Sequence, residues 1–446
     1  MESYHKIFLS VLGTNDYIPC NYFFTDNPDK MAQNVRFVQE AILYIERDKW
    51  QDGKIIIFTT EDAEKKNWQD DGHVDRDGNI LERQGLETRL KNLGVNYEKI
   101  RIPDGKSEEE IWEIFRAIVA AIPESSTIEI DITHSFRSLT IIQLAVVNYS
   151  KAAKGITVDR IHYGAMESLG PIYEVKKMPH EQRNVPIFDL TPFDTIMSWA
   201  HAVNDFKISG SAEHISRLAM GHVKPILAAT KGEDREASAV RHFAKRLNQF
   251  CDAIALNRAP EIKNAAHEAN SALEAVKSTS ILPPIVPLLD DVAQALKRFE
   301  RETVATAVEA AKWCVEHNFI PQGYAILQES LITWFLEKIG KKDAIMDHEL
   351  RGAVSSALSF YSQKSPAEKI KEELHSHADM IEDLLSIPEL EQLSPIFERL
   401  RAKRNNISHA GFNRDLVTPG NFRQELQRII KDLQQLISAQ AEIQAD

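Results

Sequence analysis

Hydrophobic and polar positions follow one rule up to about residue 190 and another after it. In the first part, short runs rich in β-branched and aromatic residues read as strands: Lys6–Leu12, Lys54–Thr60, Tyr97–Ile102, Thr127–Thr133, Val158–Tyr163 and Ile172–Val175. Stretches of helical spacing separate them. One opens at Ser107, three residues before Glu110, as a capping box, and continues with Ile111, Ile114, Phe115, Ile118, Val119 and Ile122. Another, from Ser135 to about Lys154, is apolar on nearly every side, the pattern of a helix buried against a sheet. Strands that do not alternate, interleaved with helices, predict a mostly parallel, open α/β sheet.

At Phe188-Asp189-Leu190-Thr191-Pro192 the pattern changes. Thr191 suits an N-cap and Pro192 the first helical position, so a helix is predicted to begin there. Residues 193–446 read as helices rich in Ala, Leu, Glu and Lys, interrupted at Ile281–Pro287, Gly340–Asp343 and Gly411–Gly420. No repeat of fixed period is present. The expected architecture is a Rossmann-like α/β domain followed by an all-α region built as a helical bundle.

Composition narrows the function classes. A length of 446 residues corresponds to roughly three folded units, and 43% hydrophobic with 27% charged residues is ordinary for a globular chain. The longest apolar run, Leu139–Val147, already contains Gln143 and falls short of the roughly 18 residues of a membrane span. Met1–Leu12 lacks the pattern of a secretory leader, so a cytoplasmic protein is expected. Cys20, Cys251 and Cys314 are far apart and odd in number, which fits free thiols and excludes a Cys-rich zinc module. The net charge of −13 repels polyanions, so a nucleic-acid site has to be a local basic patch. The polar segment Glu61–Asn79 superficially resembles a calcium loop around Asp75–Asn79 but lacks its ligand spacing and closing Glu, and reads as a solvated loop. His375-Ser376-His377 with Glu373 reads as a solvated helix face, and no metal site is expected.

Two constellations carry candidate chemistry. The first pairs the segment after strand one, Ser10-Val11-Leu12-Gly13-Thr14-Asn15-Asp16, with Thr133-His134-Ser135-Phe136-Arg137-Ser138 after the Ile128–Ile132 strand. Open α/β sheets bind ligands at this carboxyl edge. Free backbone N–H groups at a helix start, hydroxyls from Thr133, Ser135 and Ser138, and the Arg137 fork together suit a phosphate, and Gly13 permits close backbone approach. The plainer reading is that the hydroxyls cap a helix and Arg137 pairs with a carboxylate. A hydrolase with Ser135 as nucleophile and His134 as base is weaker, because sequence neighbours rarely form a triad. Neither a nucleophile elbow, a dinucleotide glycine pattern nor a Walker loop is present.

The second constellation is Leu400-Arg401-Ala402-Lys403-Arg404-Asn405-Asn406-Ile407-Ser408-His409-Ala410-Gly411. Ser394-Pro395 is expected to open its helix and Gly411 to stop it. A five-residue step turns about 140° on an ideal helix, so Arg404 and His409 converge only if the helix unwinds around Asn405-Asn406 or if two copies meet across a two-fold axis. The residue types suit RNA cleavage without a metal: an imidazole that moves protons near neutrality, a guanidinium that holds the scissile phosphate, and Asn405 to position either one. The substrate's own 2′-OH is the nucleophile. Arg399, Arg401 and Lys403 supply the basic patch for RNA. The plainer reading is that cations simply favour a helix C-terminus.

Together the two halves resemble a known family. Leu9–Asn15 and Asp131–Leu139 are similar to the loops of CRISPR-associated Rossmann-fold (CARF) sensor domains, Phe188–Phe193 followed by Trp199 to their exit into a helical half, and Arg404–His409 to the Arg-x-x-x-x-His motif of HEPN ribonucleases. The chain is identified as similar to the CARF-HEPN ancillary ribonucleases of type III CRISPR systems over nearly its whole length, with about 195–300 the least diagnostic part. The resemblance implies a CARF domain over 1–190, a helical linker over 191–300 and a HEPN domain over 301–446. It further implies a homodimer that binds cyclic oligoadenylate, cyclic tetra-adenylate first, as an allosteric activator, with no other cofactor. The activated dimer then cuts single-stranded RNA in antiviral defence, leaving 2′,3′-cyclic phosphate ends, with no stable DNA binding. Arg404, Asn405 and His409 become catalytic, and Ser10, Gly13, Thr14, Asn15, Thr133, His134, Ser135 and Arg137 become ligand contacts. The alternatives are a non-catalytic oligoadenylate sensor and a ring nuclease that degrades the activator in the CARF site.

Overall fold

A computed structural model describes residues 5–75, 77–134, 137–279, 286–300, 303–410, 412 and 418–445. The chain forms two compact units, Met1–Thr195 and Ile196–Asp446.

The first unit is built on one eight-stranded sheet. Its strands are β1 (Lys6–Leu12), β2 (Cys20–Phe24), β3 (Asn27–Val35), β4 (Lys54–Thr59), β5 (Tyr97–Arg101), β6 (Thr127–Asp131), β7 (Thr157–Gly164) and β8 (Asn184–Asp189). They lie in the order β3-β2-β8-β7-β6-β1-β4-β5. The β6-β1-β4-β5 and β7-β6 pairings are parallel; β7 with β8 and β2 with β3 are antiparallel. Both faces are covered, which is why β1 is apolar on both sides, with Ser10 the one polar residue among its buried positions. Ile7, Leu9 and Val11 enter the core beneath the Glu108–Ala121 and Arg137–Lys154 helices, while Phe8 and Leu12 enter the core beneath Val38–Ile45 and Leu86–Leu93.

Several expectations need correction. Ile172–Val175 is a short helix rather than a strand: Pro171 starts it, its carbonyl accepting from the Glu174 and Val175 amides, and only Val175 is buried. β2, β3 and β8 are strands the pattern does not announce. β3 lies at the sheet edge with only Ala32 and Val35 buried, so it needs no apolar alternation and tolerates Pro28. The Arg137–Lys154 helix is not buried all round, since Ile141 is 72% exposed and Leu144 and Tyr149 also face solvent. The Glu61–Asn79 segment is only partly a solvated loop. It turns through Glu64–Trp68 with Asn67 and Trp68 buried, and the Asp75 carboxylate accepts from the Asp77 and Asn79 amides of its own loop.

The second unit is helical, with no strand among the described residues. The Thr191–Ser209 helix runs into it, beginning where expected. Thr191 does not cap through its own side chain; its hydroxyl donates to Asp189 and accepts from the Ile161 amide, fastening the helix start to β7 and β8. The helices then follow from Glu213–Ala229 to Pro419–Ala445. One buried cluster runs from Trp199 to Leu433, with Phe206, Phe250 and Phe299 packed around Trp313. Cys20, Cys251 and Cys314 are free thiols. Among the described residues no helix is long and apolar enough to cross a membrane.

Candidate functional site

After placing β2 and β3 at the far edge, the chain builds β4 and β5 on one side of β1 and returns through β6 and β7 on the other. The switch in strand order therefore falls between β1 and β6, where open sheets form a crevice at their carboxyl ends. The predicted loops follow these two neighbours and touch: a Cβ on Gly13 would lie 3.6 Å from that of His134.

Two of the hydroxyls expected to meet a ligand, those of Ser10 and Thr133, are used inside the protein. Ser10 pairs in register with Asp131 and is fully buried; its hydroxyl donates to Asp131 Oδ2 at 2.7 Å and accepts from Gln39 Nε2 at 2.9 Å. Ser10 is thus part of the sheet interior, its side chain on the face that packs against the Val38–Ile45 helix. Thr133 Oγ1 donates to Asp131 Oδ1 at 2.5 Å and accepts from the Gly164 amide at 2.8 Å, so its side chain braces the crevice wall. At Gly13 the close approach comes from within the chain, since an added Cβ would stand 2.2 Å from the Tyr17 hydroxyl. Thr14 is half-buried and Asn15 exposed. Ser135 lies outside the described residues, and so does the side chain of Arg137, whose backbone opens an 18-residue helix.

Sequence reasoning missed the residues that shape this crevice. Tyr17 stacks on the His134 ring with centroids 4.1 Å apart. Asn67 donates from Nδ2 to the carbonyls of Gly13 and Asn15, both at 2.9 Å, and its Oδ1 accepts from Arg36 at 3.0 Å. The available signal was a Trp, Trp68, inside an otherwise polar stretch. Burial sets the electrostatics. It raises the Asp131 carboxyl against the pull of Thr133 and Ser10, and it raises Tyr17, with the Asp131 charge adding to the effect. It drives the His134 imidazole down to about 4. His134 is therefore neutral near pH 7, with Nε2 buried and lacking a hydrogen-bond partner among the described residues.

The second constellation lies on the Leu390–Ser408 helix, which starts a turn before Ser394 and carries Pro395 inside it. Leu390, Leu393, Ile396, Phe397 and Leu400 bury its inner face. The helix stays regular through Ser408, with the His409 amide donating to the Asn405 carbonyl at 3.1 Å. Unwinding around Asn405-Asn406 does not occur, so Arg404 and His409 diverge within one chain. The stop is Ala410 in the left-handed region (φ 52°), one residue before Gly411. The expected basic patch is largely neutralised. Arg399 binds Glu425 and Asp432, each at 2.7 Å, and Arg401 forms a two-pronged pair with Glu398 at 2.9 and 2.8 Å. Lys403 sits over the Phe422 ring. Among the described residues, half-buried Arg404 and Asn405 and exposed His409 have no side-chain hydrogen bond or ion pair.

One buried group in the first unit has the composition of a metal site: Glu46, Glu129 and His162, with ligand atoms within 4.8 Å of one another. Lys49 is ion-paired with Glu129 and Asp159, and Arg160 stands 3.6 Å from Glu46, so the cluster already holds its own cations. The residues fit a structural charge network better than an ion.

Residues 195–303 match the family described as CRISPR-associated protein MJ1674, second domain. A curated relative, the CRISPR-associated protein MJ1674 of Methanocaldococcus jannaschii, is 22% identical over 335 residues, 74% of this chain. The chain is similar to a CRISPR-associated protein. The match covers 45% of the relative's own length, so the chain spans less than half of it. The matched family range falls on the central helices, which carry no chemical motif of their own, and stops well short of Arg404.

Proposed function

We propose that the protein is a homodimeric CRISPR-associated endoribonuclease, switched on by cyclic oligoadenylate in the crevice between β1 and β6 and cutting single-stranded RNA with Arg404, Asn405 and His409. The observation that carries this reading is the contrast within one basic stretch: Arg399 and Arg401 are tied to carboxylates, whereas Arg404 and His409 have no such partner among the described residues. Similarity to a CRISPR-associated protein supports the setting. The exposed apolar surface of Trp112, Ile141, Leu144 and Tyr149 supports a second copy covering it.

In this mechanism His409 accepts the proton of the substrate 2′-OH as its oxygen bonds to phosphorus. The P–O5′ bond breaks, and the leaving oxygen takes that proton back from the His409 imidazolium. Arg404 neutralises the charge gathering on the phosphorane oxygens, and Asn405 orients the phosphate. The products are a 2′,3′-cyclic phosphate and a 5′-OH. Cyclic oligoadenylate biases the dimer only by binding the active arrangement more tightly than the resting one; a two-fold ring matches a two-fold dimer.

The test combines purified protein, cyclic tetra-adenylate and labelled RNA in excess EDTA. Cleavage that requires the activator, persists with chelator and disappears in His409→Ala while activator binding remains is the expected outcome. Cleavage near wild type in His409→Ala contradicts the assignment.

A further inference from the structure

β2 and β8 begin, and β3 ends, at the same sheet edge as the crevice. There they border an open pocket of about 460 Å³ whose walls include Arg36, Arg83, Arg89, Arg183 and His180. Two of the four arginines have carboxylate partners: Arg83 with Asp16 at 2.6 Å and Arg89 with Glu40 at 2.5 Å. Among the described residues the other two have no carboxylate within ion-pair distance. Arg36 donates to the Tyr17 and Gln84 carbonyls, both at 3.2 Å, and to Asn67 Oδ1 at 3.0 Å. Arg183, only 8% exposed, donates to the carbonyls of Met178 at 3.0 Å, Pro19 at 3.3 Å and Lys176 at 3.2 Å. Each guanidinium carries five N–H donors, so both retain donors beyond these neutral acceptors.

The charge is therefore unbalanced. Asp16 is shared with Lys176 at 3.7 Å, so the two carboxylates Asp16 and Glu40 face Arg36, Arg83, Arg89, Arg183 and Lys176. Burial and the nearby Arg83 push the Arg36 pKa down. Guanidiniums withdrawn from water beside neutral acceptors are costly unless an anion completes the site. This occurs in a chain of net charge −13, where cations are in short supply. Guanidinium forks match phosphate oxygens, and the volume falls in the range of small-molecule sites, larger than a lone inorganic ion requires. Ile18 and Pro19 supply an apolar wall.

We infer that this cavity binds a phosphorylated, nucleotide-sized anion at a site distinct from the crevice. The two are connected, because Arg36 and the Gly13–Asn15 loop share Asn67. The inference does not rest on the ribonuclease reading.

Calorimetric titration of the full chain with ATP, adenosine and cyclic tetra-adenylate tests it. ATP binds and adenosine does not. Gln84→Glu and His180→Glu, each placing a carboxylate among the arginines at an exposed position, each weaken ATP at least tenfold without moving the melting temperature or the binding of cyclic tetra-adenylate. Two variants guard against a folding defect in one. Failure of ATP to bind at millimolar concentration, or ATP affinity unchanged in both variants, overturns the site. Loss of cyclic tetra-adenylate binding in both variants assigns the arginines to the crevice ligand and equally overturns a distinct site.

Discussion

The crevice between β1 and β6 and the end of the Leu390–Ser408 helix both drew notice through polar residues, yet they use them in opposite ways. In the crevice, Ser10 and Thr133 converge on buried Asp131 and hold the strands in register. At the helix end, the neighbours Arg399 and Arg401 are bound to carboxylates, while Arg404 and His409 lack side-chain partners among the described residues. A polar group with a complete set of internal bonds is architecture; one left without them on a partly open surface is available for chemistry.

Substitutions at the two places should behave differently, most visibly at the helix end. Arg404→Ala is expected to lower activator-dependent RNA cleavage by about 10²–10⁴-fold with the melting curve unchanged. A loss of fold in parallel would make Arg404 structural like its neighbours. Asp131→Ala should do the reverse, stranding Ser10 Oγ and the Thr133 hydroxyl and costing the first unit on the order of 3 kcal/mol. Denaturant unfolding measures it, and a stability within experimental error of wild type would contradict the architectural role.

Acid should act on the crevice next. His134 is held near 4 against an ordinary 6.5, so between these values the unfolded chain binds a proton that the folded chain refuses. Stability therefore falls as pH drops through that window, by about 1.4 kcal/mol per pH unit from this residue. Asp131, shifted upward, contributes with the opposite sign. Comparing wild type with His134→Phe from pH 6.5 to 4.5 isolates the histidine: the variant should lose the steeper acid slope. The smallest effect is expected of Arg399→Met, about 1 kcal/mol or less, because its partners sit on a partly exposed surface. RNA cleavage should change little; a large drop at intact stability would show that these ion pairs open to receive RNA.

How much of this could be read from sequence depended on how local the physics is. β1 and β4 were legible because strands buried on both faces leave dense apolar runs, and β5, β6 and β7 because each carries a short run rich in β-branched and aromatic residues. The Ser107 cap was legible too: its hydroxyl accepts from the Glu110 amide at 3.2 Å, while the Glu110 carboxylate accepts from the Lys106 amide rather than from that of Ser107. β3 was not legible, because an edge strand may be polar without penalty. Ser10 looked like a ligand group because strand-end hydroxyls often are, but strand periodicity already put it on the same side as Phe8 and Leu12, facing a buried helix. Arg399 and Arg401 looked like free cations because two of the deciding partners, Glu425 and Asp432, lie a whole helix away. Asn67 was hidden inside a segment dominated by acidic loop residues whose carboxylates bind their own backbone.

In the mechanism we propose, Arg404 and His409, diverging on one regular helix, act together only across two copies of the chain. Mixing the two inactive variants, Arg404→Ala and His409→Ala, and measuring activator-dependent RNA cleavage tests it most directly. Mixed dimers pair an intact Arg404 with an intact His409 from different chains, so cleavage should rise well above either variant alone, toward about a quarter of wild type for random pairing in a two-fold dimer. A mixture that forms mixed dimers yet stays as inactive as its components contradicts the account.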